Sequence, residues 1–206
     1  MCIILYYVSR EKSFLHIKAT EFINNKRDIF LICFYIIEND MPKYLKRQQI
    51  IISEVIRKIR NENYKIGEST EGSFLYGRDK QKAEKLFLQS KLVKNKLDFI
   101  NKLKDSQKGE EVIIRYFIKY KVEKVVPVNE IDRELKSNLL SFLEGNISDA
   151  NILASGILHH QKEELALITA DKTHWTKENI EWAVPEQSNL RKKYPKIPEI
   201  NYIQEL

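Results

Sequence analysis

The sequence predicts an α/β/α sandwich: a small, mostly parallel sheet between helices, carrying a helical insertion. Three observations support this. Short, wholly apolar runs recur along the chain, "CIILYY", "IFLI", "VVPV" and "LALIT". They lack the polar alternation of a half-solvated sheet, as strands buried on both faces do. Longer amphipathic stretches separate them, the alternation that builds crossover units. The alternation is broken once, between about residues 54 and 121, where the chain becomes polar, Lys-rich and punctuated by glycine. With 206 residues, 43% hydrophobic, six glycines and five prolines, the chain suits a single domain, residues 1–206, that carries this insert.

In chain order, Ile3 to Val8 reads as a buried first strand. "SREKSFLHIKATEFINNKRD" follows as a helix, with Phe14, Ile17, Phe22 and Ile23 near helical spacing behind a Ser9 cap. "IFLI" is the second strand. The helix after it, "CFYIIENDMPKYLKRQQIIISEVIRKIR", is interrupted or restarted near Pro42, whose ring and missing N–H break the ladder. Residues 61–78 are polar and hold Gly67, Gly72 and Gly77, which makes them a loop. Asp79 to Lys104 reads as one long helix, with Ala83, Phe87, Val93, Leu97, Ile100 and Leu103 on a broad face; a shorter helix carries Val112, Ile113, Tyr116, Phe117 and Tyr120. "KVVPV" is a third strand, and "IDRELKSNLLSFLEG" is a helix ended by Gly145. A helix from about Ser148 to His160, capped near Ser148, and the strand "LALIT" complete the pattern.

Charge and cysteine usage narrow the function classes. The formal net charge is +6, and Arg57 to Lys104 alone holds thirteen Lys or Arg against six Asp or Glu. The basic character therefore belongs to the insert, with Lys91, Lys94 and Lys96 as candidate contacts for RNA phosphates. Cys2 and Cys33 lie in apolar runs without metal-ligand spacing and read as buried free thiols of a reducing, cytoplasmic compartment. The longest apolar run, "IFLICFYII", has nine residues, too few to span a bilayer, so no membrane role is expected. His16, His159, His160 and His174 show no zinc spacing, and neither a Gly-rich phosphate loop nor a nucleophile elbow occurs. Trp175 and Trp182 read as packing residues.

Three acids occupy positions where open α/β sheets bind ligands, at strand exits and helix starts. Asp171 follows "LALIT", Asp149 opens the preceding helix, and Glu38, with Asp40 as the alternative, lies just past "IFLI". Carboxylates converging on one sheet edge are the ligands that hard cations such as Mg²⁺ or Mn²⁺ prefer. Each also has a plainer reading: Asp149 complements a helix dipole, Asp171 is a turn residue, and Glu38 is solvated.

"SDANILASGILHHQKEELALITADKTHW" resembles the C-terminal signature of the PIN-domain family, the PilT N-terminus-like nucleases that include VapC-type toxins. That signature is an Asp opening a helix of small and apolar residues, then an apolar strand ending in Thr-x-Asp: here Asp149, "ILASGIL", "LALIT", Thr169 and Asp171. "DIFLICFYIIEND" is similar to the family's second strand and helix, whose acid falls at Glu38, and "LRKKYPKIPEINYI" to its closing strand. The resemblance implies a Mg²⁺- or Mn²⁺-dependent ribonuclease that cleaves phosphodiesters with an activated water, Glu38, Asp149 and Asp171 holding the metal and Thr169 orienting them. It leaves open an antitoxin or other protein partner, a homodimer, and a degenerate scaffold that binds without cutting. The family also carries an acid at the end of strand one, and here no acid precedes Glu11. The expectation that follows is a natural chain starting a few residues upstream, with this form binding metal weakly.

Overall fold

The computed structural model describes residues 7, 13–25, 30–127 and 130–206. Of the expected first strand only Tyr7 is among them, and it is helical; the expected Ser9 cap lies outside them. Helix α1, Phe14–Asn25, starts instead under Ser13, whose Oγ accepts the His16 amide at 3.1 Å. It buries Ala19 and Ile23 but leaves Phe14 and Ile17 exposed, so its apolar stripe is narrower than the spacing predicts.

Strand β1, Phe30–Cys33, pairs in parallel with β2, Val122–Val126, setting Cys33 opposite Val126. Between β1 and the next helix, α2, Met41–Arg60, the chain makes a π-helical turn, Ile36–Asp40. The Met41 amide there reaches the Ile36 carbonyl, five residues back. Pro42 explains the wide turn, because in a regular helix its ring would press on the carbonyl four residues earlier.

The chain divides into two compact units: Pro42–Arg115, and Tyr116–Leu206 with the described residues up to Met41. The helical unit thus begins at Pro42 and ends at Arg115, rather than near residues 54 and 121. It comprises α2 from Pro42 on, a 3₁₀ turn at Gly72–Phe74, α3 (Gly77–Lys91) and most of α4 (Lys96–Tyr120). Its core is Ile51, Val55, Ile59, Leu75, Ala83, Phe87 and Ile100. The single long helix expected over 79–104 is therefore two, and the two helices expected across 96–120 are one. Asn95 makes the break: its Oδ1 accepts the amides of Leu97 and Asp98 at 3.0 and 3.2 Å, so α4 starts anew there.

In the other unit, α5, Arg133–Phe142, is capped by Asp132, which accepts the amides of Glu134 and Leu135. It ends as expected at Gly145, which sits at φ +78° and returns its amide to the Leu140 carbonyl at 3.0 Å. Glu144 precedes it at φ +50°, a left-handed conformation uncommon outside glycine. Helix α6, Ile147–His160, is capped by Asn146 and not by Ser148, which lies inside its first turn. This helix buries Ala150, Leu153, Ala154 and Ile157. Gly156 lets it approach β3, Ala166–Thr169, because a Cβ there would stand 2.5 Å from Leu167 Cδ2. Strand β3 pairs in parallel with β4, Glu199–Tyr202, between which lie α7 (Lys177–Ala183, capped by Thr176) and α8 (Asn189–Lys193, capped by Ser188). The fold is mixed α/β with parallel strand pairing, as the apolar runs predict. Among the described residues the strands form two parallel pairs.

Candidate functional site

Two acids predicted from sequence meet in one place. Asp149, in the first turn of α6, and Asp171, just past β3, line a polar cavity of about 340 Å³ with Glu144, Asn146 and His174. Both also line one end of a larger, mainly apolar cavity of about 720 Å³ that runs along β1 and β3 among the described residues. The smaller cavity has Glu144 and His174 beside the two acids, whereas the larger one adds Glu163, Glu164 and His159 to a mainly apolar wall.

Asp149 is oriented by its helix cap. Asn146 caps the helix through the Asp149 amide and donates its Nδ2 to Asp149 Oδ2 at 2.7 Å, while Trp175 lines the larger cavity beside the same acid. Its carboxyl is pushed up in pKa, chiefly by burial, and the neighbouring charges of Asp171 and Asp40 push the same way.

Asp171 is held differently. The Thr169 hydroxyl, buried at the end of β3, accepts the Asp171 amide at 3.1 Å. Thr169 therefore fixes the backbone of that acid, a more specific role than the orientation of carboxylates in general. Asp171 Oδ1 accepts the amides of Thr173 (2.8 Å) and His174 (3.0 Å), and Oδ2 lies 3.0 Å from His174 Nδ1. Burial alone would raise its pKa, but these bonds outweigh it and the net shift is downward. The same contact raises the pKa of His174.

Of the two acids left open past β1, Asp40 is the one tied to α6: the Ser148 hydroxyl donates to its Oδ2. Glu38 is exposed and lines neither cavity. No group of three His, Cys, Asp or Glu side chains is close enough to hold a metal among the described residues. The donor set nevertheless suits a hard cation: carboxylate oxygens, one of them desolvated among like charges, gain most from a divalent ion.

The remaining candidates lie in the helical unit. Lys91 and Lys96 both contact Glu62, at 3.4 and 3.7 Å, and Lys94 is exposed. Sequence reasoning missed Glu144, Asn146 and His174. The helix-ending "EGN" turn was the available signal, since it delivers Glu144 and Asn146 beside Asp149. The His174 pairing follows from a turn of three residues that no motif marks. No family model, curated protein or solved structure matches the chain.

Proposed function

We propose that this chain is a metal-dependent ribonuclease of PIN type, cleaving RNA phosphodiester bonds at the pocket of Asp149 and Asp171. The observation that carries the reading is the convergence of these two acids, which the sequence places at a helix start and a strand exit, on one polar cavity. Asp149 and Asp171 would hold Mg²⁺ or Mn²⁺, and Asp40, tied to Ser148, would add negative charge near Asp149 without being a ligand. When bound, such an ion lowers the pKa of water and neutralises charge developing on the phosphoryl group.

The chain's own residues supply positioning. Asn146 fixes the Asp149 carboxylate, and the amides of Thr173 and His174 fix that of Asp171. His174, protonated over a wider pH range because Asp171 stands against Nδ1, offers a cation on the pocket wall to phosphate oxygens.

The test is cleavage of structured and unstructured RNAs with Mg²⁺, with Mn²⁺ and with chelator, beside calorimetric titration of either metal. The expected result is metal-dependent turnover, reduced at least about 10²-fold in Asp149→Asn, the scale on which one electrostatic group at a reacting centre acts. RNA binding without turnover would favour a non-cutting scaffold. Absence of both metal and RNA binding would sink the proposal.

A further inference from the structure

The turn between α3 and α4 carries an exposed apolar knob with a cationic collar. Residues 91–98, which join α3 to α4 and open α4, are exposed without a break. Leu92 is 86% exposed, Leu97 65% and Leu88 60%, with Val93 beside them. Leu88 and Leu92 are one helical turn apart, so they extend the knob along a single face. Between Lys85 and Leu97 the chain holds four lysines, Lys85, Lys91, Lys94 and Lys96, and no acid. The nearby acids are engaged: Glu62 takes Lys91 and Lys96, Glu84 takes Lys58 at 3.8 Å, and Asp98 accepts the Asn95 amide group at 2.8 Å. Pairs this exposed are weak and yield readily to a denser array of anions.

We propose that this knob attaches the protein to the surface of an anionic lipid bilayer, its aliphatic side chains entering the headgroup boundary and its lysines meeting the lipid phosphates and carboxylates. A turn exposed over eight consecutive residues and lining neither cavity suits a plane rather than a groove. The exposed side chains are aliphatic, with no aromatic ring among them to stack on a base, so RNA would satisfy the lysines and leave the leucines in water. A second copy of the same surface would set lysine against lysine. Durable surface attachment takes two signals, apolar insertion and a basic cluster, and the knob presents both. The short apolar runs of the sequence exclude spanning, and no described helix is long and apolar enough to cross a membrane. Attachment at the surface needs neither. This site is separate from the acidic pocket and stands or falls independently of the nuclease reading.

The test is co-sedimentation of the full chain with vesicles of phosphatidylcholine alone or mixed with phosphatidylserine, at low and high salt. Binding is expected to the mixed vesicles only and to fall with salt. It should weaken roughly tenfold or more in Leu92→Ser/Leu97→Ser, which removes two aliphatic anchors, and comparably in Lys91→Glu/Lys94→Glu. All four positions are exposed, so a circular-dichroism melt should match the parent. Failure to bind the mixed vesicles overturns the proposal. So does binding that ignores the leucine substitutions, which would reduce the collar to a nonspecific charge. Salt-sensitive retention of a single-stranded RNA, weakened by the leucine change while vesicles are ignored, would give the knob to RNA instead.

Discussion

Asp149 and Asp171 sit in one pocket yet respond to pH in opposite directions, and each direction has a measurable outcome. Asp149 gains from a proton: burial and its acidic neighbours raise its pKa, so its charged form opposes folding above that raised value and the opposition fades as pH falls. Asp149→Asn, which keeps an acceptor for Asn146, should therefore stabilise the metal-free chain by about 0.5–1 kcal/mol, while under the proposed nuclease reading it lowers cleavage at least about 10²-fold. A melting temperature that drops instead would show that the charge is already compensated. Asp171 and His174 act as a pair. The carboxylate's depressed pKa contributes stability above its ordinary value of about 3.9, lost as pH falls through the lower folded value. The imidazole's raised pKa contributes below about 6.5, lost as pH rises through the higher folded value. The pair is at full strength between those limits. Asp171→Asn should return the His174 titration, followed by NMR of its ring protons, towards an ordinary imidazole value; an unmoved midpoint would mean that the contact carries no charge coupling.

At the scale of elements, what was legible in the sequence depended on whether local chemistry or a distant partner decided the structure. The strand "LALIT" and the Gly145 stop were readable because period and turn residue are local signals, and so was the helix that carries Asp149, although its cap is Asn146 and not Ser148. The break at Asn95 was not, since its flanks share an apolar face and only the cap geometry separates α3 from α4. The π turn before Pro42 was half readable. Proline announced an interruption, but a turn one residue wider shifts each later side chain by roughly 100° around the axis, which a regular helix cannot anticipate. Asp40 rather than Glu38 therefore carries the bond to Ser148. Glu54 was missed altogether. It is 0% exposed, and its carboxylate accepts the Tyr64 and Ser69 hydroxyls, the Gly67 amide at 2.6 Å and Arg57 at 2.7 Å, tying the glycine-bearing loop to α2. Gly72 is needed there, because a Cβ would stand 2.5 Å from the carboxylate. Gly72→Ala should cost about 1–3 kcal/mol in denaturant unfolding. A neutral result would mean that the loop shifts freely.

On the scale of the whole molecule, two core clusters stand out among the described residues. One is built on α5, α6 and β3 with Trp175, Ile180, Leu190 and Tyr194, the other on α2, α3 and α4. The sequence foreshadowed this as a shift in composition and charge, but it placed the boundary late. Residues 42–53 continue the helical pattern that precedes them, and only packing assigns them to the second core. Separate cores give Glu54→Gln a distinctive signature. The substitution leaves four donors facing a neutral amide, and the loss of charged hydrogen bonds at a buried position is worth about 1.5–3 kcal/mol. The depressed pKa of Glu54 adds a pH dependence. Burial alone would raise that pKa, but the bonds from Ser69, Gly67, Tyr64 and Arg57 outweigh it. The parent's advantage over the variant is thus present above the ordinary carboxylate range and is lost as pH falls through the lower folded value. If the units open independently, amide exchange in the Gln variant should accelerate across residues 42–115, while the amides of α6 and β3 keep their protection. A uniform acceleration over both cores would instead make the 206 residues one cooperative unit, and a stability change made at Glu54 would then reach the site of Asp149 and Asp171.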